Sequence, residues 1–331
     1  MRRQLLVVLG AMALVVLAIG CADKTDETTT DEATKTTIAV IPKANVFTFW
    51  PTVKKGAEAA AKELDLNIIW RGAENETSFG QQIEIVEAMI NQQVKGIVLA
   101  PQSATALVDV VKKAVAASIP VVIIDSGINT DVCVSFVATD NYQGGVMGAE
   151  RLATLLGKKG KLALVRNIPG SASTEAREKG FLDTIAKYPD IAVVAKEYGM
   201  GDPTKATQVV SAMLTGHPDL NGIFTANEPG AIGALNAVKN ADKVGKIKIV
   251  GFDASPLLIA GIRDDSLDST IVQDPFQMGY RGVKILMDHI GGKPVAKLEK
   301  TPIKLITKHN VDSDEIKDYL AAYGIGVKAK K

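Results

Sequence analysis

Short runs of β-branched residues, each closed by a polar side chain, recur along the chain. In Pro120-Val-Val-Ile-Ile-Asp125-Ser-Gly127, four consecutive branched residues follow a proline and stop at a carboxylate, a hydroxyl and a glycine. Such a run predicts a short strand buried on both faces. The same design returns at Ile38-Ala-Val-Ile-Pro-Lys43, Gly222-Ile-Phe-Thr-Ala-Asn227 and Ile247-Lys-Ile-Val-Gly-Phe-Asp253. With weaker runs included, strands are expected near 38–42, 66–70, 96–99, 120–124 and 134–138. A second series is expected near 161–165, 191–195, 222–225, 247–251 and 270–272, with a last strand-like run at Ile303-Lys-Leu-Ile306.

Between the strands the apolar spacing becomes helical. Ile83, Ile85, Val86, Met89 and Ile90 approximate one face over Ser78 to Gln93, and an amphipathic helix is expected from Pro275 to about Ile290. Strand–helix–strand units imply parallel sheets with right-handed crossovers. Two series of five strands predict an α/β fold of two doubly wound lobes. No Pro/Gly/Ser-rich linker divides the middle of the chain. Polar clusters at Thr139-Asp-Asn141 and Gln273-Asp-Pro275 suit a chain that crosses between lobes more than once. Open α/β sheets bind ligands beyond the carboxyl ends of their strands. Four strands that each deliver a polar side chain there point to one shared site.

Composition narrows the function. A chain of 331 residues is comfortable for two cores. Its formal charge is +1, or −1 without residues 1–20, and no basic stripe supports nucleic-acid binding. Arg2 and Arg3 precede an apolar run from Leu5 to Ile19, broken only by Gly10. The run is shorter than the roughly 18 residues of a membrane span and has the shape of a secretory signal. An uncleaved anchor helix is the alternative. Ala22 to Thr37 is rich in threonine and acids, with no hydrophobe larger than alanine, so it reads as a disordered tether. Ala18-Ile19-Gly20-Cys21 resembles the lipobox of bacterial lipoproteins, with Ala18 where leucine usually stands. That resemblance implies acylation of Cys21 and an exported chain, lipid-anchored in the periplasm or at the cell surface. Cys133, flanked by Val132 and Val134, reads as a packed small hydrophobe.

Catalytic signals are missing from the sequence. His217, His289 and His309 lie apart with no metal-ligand spacing. No phosphate-cradling Gly-rich loop, Gly-x-Ser-x-Gly or Cys-x-x-Cys occurs. Gly144-Gly145 and Gly291-Gly292 read as helix-start and turn glycines. No enzyme, metal or cofactor is expected.

Several motifs in order carry a family resemblance. They are Ile41-Pro-Lys43 with Phe47, Phe49 and Trp50; Val122-Ile-Ile-Asp-Ser-Gly127; and Ala138-Thr-Asp-Asn-Tyr-Gln-Gly-Gly145. Further along come Gly170-Ser-Ala-Ser-Thr-Glu-Ala-Arg177 with Gly180-Phe181, then Asn227, Val250-Gly-Phe-Asp253 and Thr270-Ile-Val-Gln273. Over residues 38–310 the chain resembles a type I periplasmic solute-binding protein of the ribose/galactose-binding family, which serves ABC importers of simple sugars. The resemblance implies a monomer of two lobes joined by three hinge strands that close over one ligand. It implies residues 1–20 as signal peptide, 21–37 as tether, 38–139 with 275–301 as N-terminal lobe, and 140–274 with 302–331 as C-terminal lobe. Its partners would be a sugar-like ligand and the permease subunits.

By the same resemblance Asp125, Arg177, Asn227, Asp253 and Gln273 would bind sugar hydroxyls, and Phe49 and Trp50 would stack on the ring. Hydroxyls both donate and accept, so carboxylates, amides and a guanidinium fork satisfy them, while flat rings cover apolar C–H faces. Three more positions are carried as ligand contacts. Ser126 and Phe47 replace an arginine and an asparagine of the ribose pattern, and Lys43 matches subgroups that bind other sugars or a furanosyl signal molecule. A pentose, a hexose and a sugar-like polyol all remain open. Other roles stay open for single residues. Asp125 or Asp253 could cap a helix, Arg177 could lie on a solvated face, Trp50 could anchor the core, and Trp70 reads as rim or packing. Asp140 and Asn141 are expected to fix a hinge. Transcription repressors share this fold but begin with a helix-turn-helix, where this chain has a signal and a tether. A sensory receptor coupled to a chemoreceptor or kinase is the alternative to import.

Overall fold

The computed structural model describes residues 35–326. The segment expected to be a signal peptide, Cys21 and most of the expected tether lie outside the described residues. Two six-stranded sheets form the frame. The first contains β1 (Thr37–Ile41), β2 (Asn67–Trp70), β3 (Ile97–Leu99), β4 (Val121–Ile124), β5 (Ser135–Thr139) and, much later in the chain, β11 (Leu298–Thr301). Its order is β11-β5-β4-β3-β1-β2. The second contains β6 (Gly160–Arg166), β7 (Ile191–Tyr198), β8 (Gly222–Thr225), β9 (Lys248–Phe252), β10 (Ser269–Val272) and β12 (Lys304–Thr307), in the matching order β12-β10-β9-β8-β6-β7. All pairings are parallel except β10 with β12.

The first sheet carries α1 (Phe49–Glu63), α2 (Phe79–Asn91), α3 (Val108–Ala116) and α9 (Pro275–Ile290). The second carries α4 (Asn141–Leu155), α5 (Ala172–Ile185), α6 (Pro203–Gly216), α7 (Glu228–Asn240), α8 (Pro256–Arg263) and α10 (Asp314–Ala321). The continuous branched runs are explained by helices on both faces. Val122 and Ile124 pack toward α1 and α9, whereas Val121 and Ile123 pack toward α2 and α3. The chain passes between sheets three times: after β5, after β10, and between β11 and β12. Asp140 and Asp274 sit at two of these passages and cap the helices that follow, α4 and α9.

Each predicted strand is present, with ends shifted by at most three residues and β8 matched at both ends. The expected five strands per sheet become six. β12 was legible as an apolar run, but β11 was not, because Leu298-Glu-Lys-Thr301 has one large hydrophobe and that residue is exposed. Gly291 and Gly292 do form the turn after α9, Gly292 with φ +75°. Gly144 and Gly145 do more than start a helix. A Cβ on Gly145 would lie 1.9 Å from the Arg177 carbonyl oxygen, and one on Gly144 would lie 2.8 Å from Phe252. Gly145 lets α4 press against α5 at the turn that carries Arg177, and Gly144 lets α4 lie close over the Phe252 ring of β9.

Candidate ligand-binding site

The carboxyl ends of the two sheets face each other across a narrow cavity lined from both. β4 and β9 each end at an aspartate in the left-handed region, Asp125 at φ 62° and Asp253 at φ 71°. Aspartate tolerates this conformation better than most side chains. The two are structural counterparts: the Asp125 amide donates to Val137 O and the Asp253 amide to Ile271 O. Phe47 also has positive φ, 66°. For a bulky residue this is a strained conformation, of the kind found at ligand sites.

Polar side chains around the cavity are held in a connected network. Arg177 is 2 % exposed. Its Nε donates to Asn141 Oδ1 at 2.8 Å, its Nη1 donates to Ala226 O at 2.8 Å, and its guanidinium lies 3.9 Å over the Phe252 ring. Burial pushes its pKa down, against the pull of Asp253 and Asp125, and among the described residues its Nη2 makes no hydrogen bond to protein. Asp253 Oδ1 accepts from Gln273 Nε2 at 2.6 Å, and Oδ2 accepts from the Glu228 amide at 3.0 Å. Burial raises the Asp253 pKa, opposed first by Arg177. Lys43 Nζ lies 2.8 Å from Asp125 Oδ2 and donates to Ser173 Oγ at 3.1 Å. Trp50 Nε1 donates to Glu76 Oε1 at 2.9 Å, and its ring meets Phe49 edge-on. Of the buried acceptors on the cavity wall, Asn167 Oδ1 and Gln273 Oε1 have neither a hydrogen-bond partner nor, unlike Asp125 Oδ2 with Lys43, an ion-pair partner. Buried polar atoms are normally satisfied, so these two suit hydroxyl donors of a ligand.

Residues 38–294 match the family model described as periplasmic binding protein domain. The chain belongs to the periplasmic binding protein family. The ribose import binding protein RbsB of Bacillus subtilis is 35% identical over 260 residues, covering 78% of this chain and 83% of that protein. The D-allose-binding periplasmic protein of Escherichia coli is 32% identical over 272 residues, covering 80% and 88%. An ABC transporter solute binding protein from Agrobacterium vitis with bound D-fucose superposes with a TM-score of 0.83 at 37% identity, covering 85% of this chain and 99% of the other.

In this periplasmic binding protein, Lys43, Phe47, Phe49, Trp50, Asp125, Arg177, Asn227, Asp253 and Gln273 all line the cavity. Ser126 does not. It lies beneath the wall, fully buried, and its Oγ accepts from the Ser173 amide at 3.1 Å; a small hydroxyl in place of a long side chain ends short of the cavity. Capping is settled residue by residue. Ser255 caps α8, so Asp253 does not cap the helix that follows it, and no helix starts within ten residues after Asp125. Asn227 caps α7 through Gly230 and lines the cavity as well. Arg177 is not on a solvated face. Trp50 is both core and wall, while Trp70 lies outside the cavity and donates to Asn45. Asn141 sits at the passage after β5 and also holds Arg177. Glu76, Asn167, Ser173, Thr174, Glu228 and Pro229 line the cavity without having been singled out. Glu228 and Pro229 directly follow Asn227 at a strand end, a signal that was available; Glu76 lies in an irregular loop and gave none.

Proposed function

We propose that this protein is the extracytoplasmic sugar-binding component of an ABC importer, closing two lobes over one monosaccharide. The observation that carries the reading is that Asp125, Arg177, Asn227, Asp253 and Gln273 converge from both sheets on one cavity walled by Phe47, Phe49 and Trp50. Hydrogen bonds to charged groups contribute about 1.5–3 kcal/mol each. A few of them, with ring stacking, reach the roughly −8 kcal/mol of micromolar binding after the cost of association. Relatives named for ribose and D-allose, and neighbours holding D-fucose and α-D-tagatopyranose, support a pentose or hexose of similar size. The bodies that move are residues 38–139 with 275–301 and residues 140–274 with 302–331. Acylation at Cys21 and a tether to residue 37 would hold the monomer beside its permease.

A thermal-shift panel of monosaccharides and polyols tests this. A ligand bound only by the folded state stabilises by about 2.7 kcal/mol at a hundredfold excess over Kd, so one or a few sugars should raise Tm by several degrees. No rise with any of them overturns the reading.

A further inference from the structure

We propose that the two lobes cap each other's helices across the cleft, and that Ser126 and Glu228 thereby set the affinity through closure. The inference rests on the hinged-trap reading above. Six helices, α4, α6, α7, α8, α9 and α10, are capped by their own N-cap side chain. The other four are not: α2 and α3, and the two that start at the cleft, α1 and α5. At α1, the N-cap residue Thr48 makes no side-chain cap. Glu228 of the opposite lobe accepts from the Thr48 amide at 3.0 Å and the Phe49 amide at 3.3 Å through Oε2. At α5, the N-cap hydroxyl of Ser171 is turned to Lys43 Nζ at 3.4 Å, and Ser126 of the opposite lobe accepts from the Ser173 amide at 3.1 Å.

The exchange is reciprocal: each lobe supplies the acceptor that the other lobe's helix start lacks. Both caps exist only while the lobes are together, alongside a backbone bond from Ala104 N to Gly170 O at 2.9 Å. An N-cap typically shifts an equilibrium by roughly fivefold. The apparent Kd of a protein that must close scales with the fraction closed. Each trans cap therefore tightens binding through closure, and Ser126 does so from outside the cavity wall.

Ser126 gives the clean test, because it does not line the cavity. Sugar titration and stopped-flow dissociation are compared for wild type, Ser126→Ala, Glu228→Ala and Glu228→Gln, with Ser126→Gly in reserve should the alanine variant not fold. Ser126→Ala should weaken Kd roughly fivefold, through faster dissociation, with association and ligand-free Tm nearly unchanged. Glu228→Ala should weaken it at least as much, and Glu228→Gln, which keeps an acceptor, should weaken it less. Unchanged Kd in Ser126→Ala, or a loss carried by slower association, overturns the proposal. If wild type binds no sugar at all, the functional reading falls and the caps are read on ligand-free protein by small-angle scattering. A larger radius of gyration in the Ser126→Ala/Glu228→Ala double variant than in wild type then supports them, and equal radii overturn them.

Discussion

Lys43 Nζ lies 2.8 Å from Asp125 Oδ2, with both side chains only 4 % exposed. Each charge is tolerable there because of the other. Removing one partner of a buried pair leaves an uncompensated charge, at a cost of about 3–5 kcal/mol. Lys43→Met should therefore destabilise by about that much in urea unfolding. The double variant Lys43→Met/Asp125→Asn should recover most of the loss. A double variant no more stable than the single one would show that the pair is not the source.

Arg177 lines the cavity and combines two hydrogen bonds to protein, a stacked phenyl face and an Nη2 with no hydrogen bond to protein among the described residues. Arg177→Ala should weaken sugar binding by at least tenfold in calorimetry, from loss of one charged hydrogen bond. It should also cost about 1–3 kcal/mol of stability, because Asn141 Oδ1 and Ala226 O lose their donor, yet leave a folded protein by circular dichroism. Equal affinity in wild type and variant would remove Arg177 from the site.

The Gly145 contact is a separate, purely steric matter. A methyl group placed 1.9 Å from the Arg177 carbonyl oxygen must push α4 away from α5. Gly145→Ala should cost about 1–3 kcal/mol and weaken sugar binding as well, since α5 carries Arg177. A fully stable variant would mean that the helix pair can slide apart without penalty.

Cys21 is tested by fractionation. Acylated lipoproteins leave the membrane when the acylated cysteine is lost, so Cys21→Ser should move the protein into the soluble exported fraction. Persistent membrane attachment of this variant would favour an uncleaved helix at residues 5–19.

Much of the architecture was legible because burial on both faces leaves a strong mark: Val121 to Ile124 could hardly be anything but a central strand. The polar tips Asp125, Asn227 and Asp253 were legible for the same reason, each being the first carboxylate or amide at or just after a dry strand's end. Edge elements leave no such mark, which is why β11 escaped notice. Contacts across the cleft were harder still. The partners in Glu228 with Thr48 are separated by 180 residues, and only the closed arrangement of two lobes brings them together. Ser126 was carried with its neighbour Asp125, and its place off the cavity wall, bonded to the Ser173 amide, is a contact across the cleft of the same hidden kind.

Glu228 also gives the molecule a pH dependence. Burial, then the nearby Asp253 carboxylate, raises its pKa from 4.5 to about 7, against the amides of Thr48 and Phe49. Around the same cavity stand Asp125, Glu76, Lys43 and Arg177, and the buried Tyr323 hydroxyl behind Gln273 feels the Glu228 charge. In the closed folded form Glu228 keeps its proton up to about pH 7, whereas in the unfolded chain it releases it near 4.5. Between those values the unfolded state binds fewer protons, so stability falls as pH rises and levels off above about 7. At about 1.4 kcal/mol per pH unit the full swing is about 3 kcal/mol. Glu228→Gln has no proton to lose there but retains an acceptor for the α1 amides. Measured with saturating sugar to keep the lobes together, its stability relative to wild type should rise by about 3 kcal/mol between pH 4.5 and pH 8. Asp253 and the other buried carboxylates are common to both proteins and largely cancel. A difference that stays flat across that range would mean that Glu228 is ionised throughout, held so by the helix start it faces.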